Sequence, residues 1–404
     1  MAEERVTRCC VVGGGPAGMM LGLLLARAGI DVMVLEKHAD FLRDFRGDTV
    51  HPSTLEVMHE LGMLEDFLKL PHQEARVLGA QIGSVKLPFA DFTHLGTRCK
   101  FIAFMPQWDF LNFLASRSLQ FPSYKLMMQA EATDLILDGS RVAGVRARTP
   151  NGELEVRADL VVGTDGRHSI VREKAGLLVE ELGAPMDVLW FRISRAPTDP
   201  AESFGRFDAG RIFILINRDK EWQFGLAIPK GTVEQMHARG LPAFRDLVRD
   251  AAPFVGERVG DVRSWDDVKL LSVRVDRLRE WCRSGLLCIG DAAHAMSPIG
   301  GVGINLAIQD AVASANLLTE PLRRGRPSLE QLRRVQERRE FPARLTQGFQ
   351  VFIQNRVVSP VLHRSGPIQP PLALRLFARL PILQRIPARG VGIGVRPEHI
   401  RQAA

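Results

Sequence analysis

Val11-Val12-Gly13-Gly14-Gly15-Pro16-Ala17-Gly18 is the stretch that decides the fold. The apolar run Arg8 to Val12 predicts a strand before it. Met19 to Ala28 predicts an apolar helix after it, closed by Gly29, and Asp31 to Leu35 a second strand. In that βαβ context Gly13, Gly15 and Gly18 supply GxGxxG: Gly13 for the tight turn, Gly15 for close approach of a pyrophosphate, Gly18 for packing helix on strand. Pro16 and Ala17 open the helix, whose N-terminus favours phosphate charge. Glu36 ends the second strand 18 residues beyond Gly18, the place of an acid that accepts from ribose hydroxyls, with Lys37 beside it. An acid there disfavours a 2′-phosphate, so the expected ligand is FAD or NAD rather than NADP.

Two further strand-to-turn motifs lie far along the chain. Leu160 to Gly163 delivers Thr164-Asp165-Gly166-Arg167-His168-Ser169, with the Asp165 carboxylate at a strand's carboxyl end, where doubly wound sheets bind ligands. A capping role for Asp165 or Ser169 fits the same residues. Gly285 to Ile289 delivers Gly290-Asp291-Ala292-Ala293-His294, a Pro298 to Val302 loop follows, and a helix is predicted from Gly303-Ile304-Asn305 onward. Asp291 can accept from a polyol chain. A helix N-terminus behind a Pro/Gly loop can stabilise negative charge developing on a reduced flavin ring.

Between these motifs, Pro52 to Leu61 predicts a helix capped by Ser53 or Thr54, Ala75 to Phe89 β structure, and Gln107 to Leu119 another helix. Met186 to Ser194, Arg211 to Asn217, Glu221 to Ile228 and Val268 to Val275 have strand composition, while Val233 to Arg239 and Leu241 to Ala251 are helical in pattern. No repeat or flexible linker interrupts them.

A chain of 404 residues with 46% hydrophobic content can bury one large core or two domains sharing an interface. The five cysteines have neither CxxC nor Cys/His spacing, which predicts no metal site and a reducing cytoplasmic setting. The opening MAEERVTR carries acids, and no run reaches the roughly 20 apolar residues of a membrane span, so neither secretion nor a transmembrane helix is expected. The net charge of +7 comes from arginines spread along the chain without interleaved aromatics, which argues against nucleic acid. Positive potential would instead attract an anionic dinucleotide or an acidic aromatic substrate. Leu372 to Leu380 is apolar and Arg-rich: a helix docked on the body, lying on a membrane interface, or covering a substrate tunnel.

Taken in order over residues 6 to 345, GxGxxG with its strand-terminal Glu36, Asp165-Gly166, and Gly290 to Asn305 resemble the single-component (class A) flavin-dependent aromatic hydroxylases related to p-hydroxybenzoate hydroxylase. The resemblance implies an α/β fold. A Rossmann-like FAD-binding domain would comprise 1–73, 105–178 and 271–345, an interleaved mixed-sheet substrate domain 74–104 and 179–270, and a helical segment 346–404. It implies that Asp165 serves the pyrophosphate and a passing nicotinamide nucleotide, and Asp291 the ribityl chain. Arg46 and Gln107 would contact the cofactor, and Pro298, Gly300, Gly301, Gly303, Ile304 and Asn305 the flavin ring. FAD is then resident and NADH or NADPH a transient co-substrate, in keeping with a single GxGxxG. O2 would add to reduced FAD as a C4a-hydroperoxide whose distal oxygen passes to an electron-rich aromatic small molecule.

On the substrate side His51 is a candidate acceptor for a phenolic proton, Thr49 can orient an oxygen, and Trp190, Phe213, Trp222 and Phe224 are candidate wall residues. An FAD-dependent reductase of an unsaturated, prenyl-type substrate would share the cofactor motifs, as would a flavin-binding protein without turnover. A two-dinucleotide reductase would need a second βαβ fingerprint, and a tryptophan halogenase a WxWxIP segment; neither is present.

Overall fold

β1 (Glu3–Val12), α1 (Pro16–Arg27) and β2 (Val32–Glu36) form the expected βαβ unit in the computed structural model, which describes residues 3–42 and 49–401. Cys9 to Val12 and all of β2 are buried, as a parallel sheet covered on both faces requires. β1 begins at Glu3 rather than Arg8 because the mostly polar stretch Glu3 to Thr7, with an exposed Val6, pairs with Leu154 to Ala158. Backbone pairing, not hydrophobicity, extends it.

After α2 (Pro52–Glu60), β3 (Val77–Ile82) and β4 (Val85–Asp91) form a hairpin, and α3 (Gln107–Ser118) leads to β5 (Tyr124–Met128), parallel to β2. A meander follows: β6 (Glu131–Asp138), β7 (Arg141–Thr149) and the long β8 (Gly152–Gly163). β6 and β7 were not anticipated, although Asp138-Gly139 and Asn151-Gly152 are hairpin signals. Then come β9 (Met186–Ser194), β10 (Phe204–Asp208), β11 (Arg211–Asn217), β12 (Glu221–Pro229), α4 (Gly240–Ala251), β13 (Lys269–Leu271) and β14 (Leu286–Cys288). The chain closes on the helices α5 (Gly303–Arg324), α6 (Leu329–Ile353), α7 (Leu372–Arg379) and α8 (Pro381–Gly392), with a short turn of helix at Ser359–Leu362 between α6 and α7.

The parallel sheet has the order β14–β8–β1–β2–β5. β8 is long enough to pair with β7 over Gly152 to Arg157 and with β14 over Val161 to Gly163. The second sheet has the order β13–β9–β12–β11–β10–β3–β4, and only β10 and β3 run parallel. Period-two alternation gives this sheet two apolar faces. Phe191, Phe213, Trp222 and Phe224 pack beneath Phe244 and Val248 of α4. Val188, Trp190, Ile212 and Ala227 face Ile299, Val358 and Leu362.

The tail is tied back by buried charge. Asp310 of α5 accepts from Arg339 Nε of α6 at 3.0 Å and lies 2.6 Å from His294 Nε2, while Arg339 also reaches Glu398 at 3.4 Å. The Asp310 carboxylate is tolerated in the interior because these partners surround it, so removing one of them leaves buried polar groups unsatisfied.

Candidate cofactor and substrate site

The three motifs meet at the carboxyl ends of β1, β8 and β14. Gly13 sits at φ +107°, and a Cβ there would lie 2.6 Å from the Thr164 carbonyl oxygen; one on Gly18 would lie 2.0 Å from the Gly13 oxygen. Thr164 Oγ1 donates to the Val12 and Gly13 carbonyls at 2.9 and 2.7 Å, which locks the second motif against the first. Gly290, at φ +60°, completes the junction: its Cβ would sit 3.2 Å from that of Ala17 and 3.4 Å from that of Ala307. Gly15 differs, since a Cβ there meets nothing nearer than Thr164 O at 3.9 Å, and no side chain caps α1. The first N–H groups of α1 are therefore left for an anion.

Glu36 is buried, and its carboxylate accepts from Gly14 N at 2.9 Å and His38 N at 3.0 Å, so it also shapes the glycine turn; Lys37 beside it is exposed. Asp165 accepts from Ser169 Oγ at 2.5 Å and Val171 N at 3.2 Å, and Ser169 accepts from Arg172 N at 3.0 Å. The capping alternative is thus what these side chains do locally. Burial pushes the Asp165 carboxyl above its usual range, against those hydrogen bonds. Asp291 is partly exposed, 3.4 Å from Arg167. Gln107 is the first residue of α3 and half-buried. Arg46 lies outside the described residues.

The Pro298 to Val302 loop turns through Gly300 and Gly301 at φ +79° and +63° and leads into α5, which no side chain caps. Thr49 Oγ1 donates to the Gly301 carbonyl at 2.9 Å. Ile304 and Asn305 are buried; Asn305 Oδ1 accepts from His51 N at 3.3 Å and Thr54 Oγ1 at 2.6 Å, leaving Nδ2 without a partner. Neither Ser53 nor Thr54 caps α2: His51 takes the N-cap position, with Pro52 first in the helix, and the Thr54 hydroxyl is spent on Asn305.

His51 is fully buried, with Nδ1 2.8 Å from the Val391 carbonyl oxygen. A carbonyl only accepts, so Nδ1 carries the proton and Nε2 a bare lone pair. That lone pair has no partner, and a Cβ on Gly301 would stand 3.5 Å from it. Desolvation lowers the imidazole pKa to about 4, outweighing the backbone contacts with Val391 and Gly301.

A set of residues not anticipated from the sequence holds this loop. Gln350 of α6 accepts from Ser297 N at 3.1 Å and donates to the Ser297 and Ile299 carbonyls at 3.0 and 2.8 Å. Gln354 donates to Ser297 Oγ at 2.9 Å, and Gln347 to the Asp276 and Ala295 carbonyls at 2.8 and 3.0 Å. Glutamines at 347, 350 and 354 share one helix face, and that spacing was the available signal.

Of the four aromatic wall candidates, only Trp190 is on the face that meets Ile299, and its Nε1 is buried without a partner. Phe213, Trp222 and Phe224 are fully buried on the opposite face, under α4. They are core residues, because strand alternation points them away from the loop. FAD fits what is present: a glycine cradle open at Gly15, two uncapped helix N-termini, and the orphaned Nδ2 of Asn305.

Comparison with known proteins agrees with this fit. The FAD binding domain family matches residues 6–348. The chain is 33% identical over 391 residues to 6-methylpretetramide 4-monooxygenase of Streptomyces rimosus, covering 95% of this chain and 93% of that one. It is 30% identical over 316 residues to 12-dehydrotetracycline 5-monooxygenase/anhydrotetracycline 6-monooxygenase of Streptomyces rimosus subsp. rimosus, covering 75% of this chain but 60% of that longer protein. Among solved structures, p-nitrophenol 4-monooxygenase from Pseudomonas putida DLL-E4 superposes with a TM-score of 0.76 at 20% identity, covering 96% of this chain and 94% of that one.

Proposed function

The chain belongs to the FAD-binding family of class A aromatic monooxygenases, and from that premise we propose that this FAD-dependent monooxygenase hydroxylates a fused-ring phenol held at His51 Nε2. The observation that carries the proposal is that buried, unpartnered lone pair beside Gly301. The near end-to-end match to a 6-methylpretetramide 4-monooxygenase supports the substrate class.

In this reading the glycine cradle of Gly13, Gly15 and Gly18, with Pro16 and Ala17 at the start of α1, holds the pyrophosphate of FAD. Glu36 holds the ribose hydroxyls, with Lys37 beside it, Asp291 the ribityl chain, and Gln107 with Pro298, Gly300, Gly301, Gly303, Ile304 and Asn305 the ring region. Asp165 supports the turn next to the pyrophosphate. Bound FAD supplies the redox chemistry, taking reducing equivalents from NADH or NADPH and activating O2. Everything else falls to the chain: α1 and α5 set the positive dipole ends, the 298–302 loop excludes water, and Thr49 holds that loop closed.

His51 orients its phenol rather than ionising it. A phenol of pKa near 10 facing an imidazole of pKa about 4 makes complete proton transfer uphill by about 8 kcal/mol. A hydrogen bond to Nε2 costs nothing of the kind and raises electron density on the ring. Trp190 Nε1–H, on the neighbouring wall, offers a donor to a second substrate oxygen.

The test is a panel of fused-ring phenols assayed for NAD(P)H oxidation, O2 uptake and product mass. The expected result is a product heavier by one oxygen with matched O2 consumption. An unsaturated substrate that gains two hydrogens under anaerobic conditions would establish the reductase chemistry instead. No observation favours that second reading.

A further inference from the structure

We propose that α7 and α8 seat this enzyme on an anionic lipid surface. Between Glu340 and Glu398 the sequence has no Asp or Glu but eight arginines, so this stretch accounts for the whole net charge of +7. The two helices have distinct faces. On the inner side Gln384 and Ala388 are buried, Ala388 packs with Phe92 and Leu95, and the Phe377 ring lies 6.3 Å from Phe89. On the outer side Leu372, Leu376 and Leu380 are exposed by 73%, 50% and 50%, and Ile382 and Ile386 by 65% and 68%. Spacing by four puts Leu372 with Leu376 on one face of α7 and Ile382 with Ile386 on one face of α8, and Leu380 lies at the junction between the two helices. Arg379, Arg385 and Arg389 are exposed among them; Arg385 feels the Asp91 carboxylate, and none of the three is in a salt bridge among the described residues.

An apolar stripe rimmed by exposed cations is the pattern of a helix lying in a bilayer interface, its aliphatic side chains among acyl chains and its arginines at the phosphates. A second copy of the chain is a poor occupant. A two-fold contact through this face would bring the same exposed arginines of both copies together. The stripe is also aliphatic throughout, without the Tyr and Trp that mark the centres of protein interfaces.

Sedimentation of the FAD-loaded protein with vesicles tests this. Binding to phosphatidylglycerol/phosphatidylcholine vesicles, and not to phosphatidylcholine alone, is expected. The triple variant R379Q/R385Q/R389Q should weaken partitioning on the order of a hundredfold, at about a tenfold or smaller loss per arginine. L376S/I382S/I386S should weaken it at least tenfold, while F349S/F352S, on the exposed face of α6, should bind as the parent does. Unchanged flavin absorbance and circular dichroism identify the variants that remain folded, and the arginine set lies wholly at exposed positions. Absence of binding to anionic vesicles overturns the proposal. So does an equal loss in F349S/F352S, or undiminished binding by both patch variants. A dimer that the patch variants convert to monomer, with no vesicle binding, would replace the lipid by a second copy.

Discussion

Gln350→Leu tests how the loop at the proposed flavin ring is held. The side chain is 2% exposed and makes three hydrogen bonds to the backbone of Ser297 and Ile299. Leucine roughly keeps the volume and removes all three, leaving one N–H and two carbonyls unsatisfied in the interior. At about 1 kcal/mol each, the low end for a stranded buried group, the loss is about 3 kcal/mol. An unfolding entropy of roughly 2.1 cal/mol/K per residue converts that to a fall of about 3–4 °C in Tm for a chain of this length. FAD would then have to order a loosened loop, so its Kd should rise on the order of tenfold to a hundredfold. Thermal unfolding of the apoprotein and quenching of flavin fluorescence measure the two separately. A fall in Tm with unchanged Kd would confine Gln350 to the fold and refute the placement of this loop at the flavin. No change in either would refute the clamp itself.

His51 couples stability to pH. Its folded pKa is about 4 against about 6.5 unfolded, so the unfolded chain takes up the proton first; stability is full above pH 6.5 and falls as pH drops toward 4. Urea unfolding at pH 7.5 and 4 should show the parent losing about 3 kcal/mol more than His51→Gln, and equal losses would remove the buried neutral imidazole from the account. Gly18→Ala places a methyl 2.0 Å from the Gly13 oxygen, so the purified variant should carry no FAD; a normal flavin content would contradict the cradle. Phe224→Leu should cost about 1 kcal/mol of stability and leave substrate KM alone. Trp190→Phe should keep stability, because the N–H it removes has no partner, and shift KM at least threefold. The reverse assignment of effects would mean that the faces of β9 and β12 have been exchanged.

Some of this protein follows from its sequence alone, for a local reason. A glycine at φ +107° or a Cβ forbidden beside a backbone oxygen is a demand made within a few residues, so Gly13, Gly15 and Gly18 advertise the cradle wherever the chain later goes. The same holds for Met186–Ser194 and Arg211–Asn217, whose strand character lies in their own composition. β6 and β7 had turn signals but more polar, less periodic strands, and only pairing with β8 makes a sheet of them.

Long-range partnership is what the tertiary structure decided. Alternation along β12 shows that Trp222 and Phe224 share a face, but which face meets the loop depends on where α4 packs. The glutamines at 350 and 354 are visible as a stripe, yet their partners lie some fifty residues upstream. His51 is the clearest instance. Its tautomer is set by a carbonyl 340 residues away, and its pKa by the burial that only the assembled fold imposes. A hydrogen-bond partner or a desolvated environment is a property of position in space, and residue type and spacing along the chain do not encode it directly.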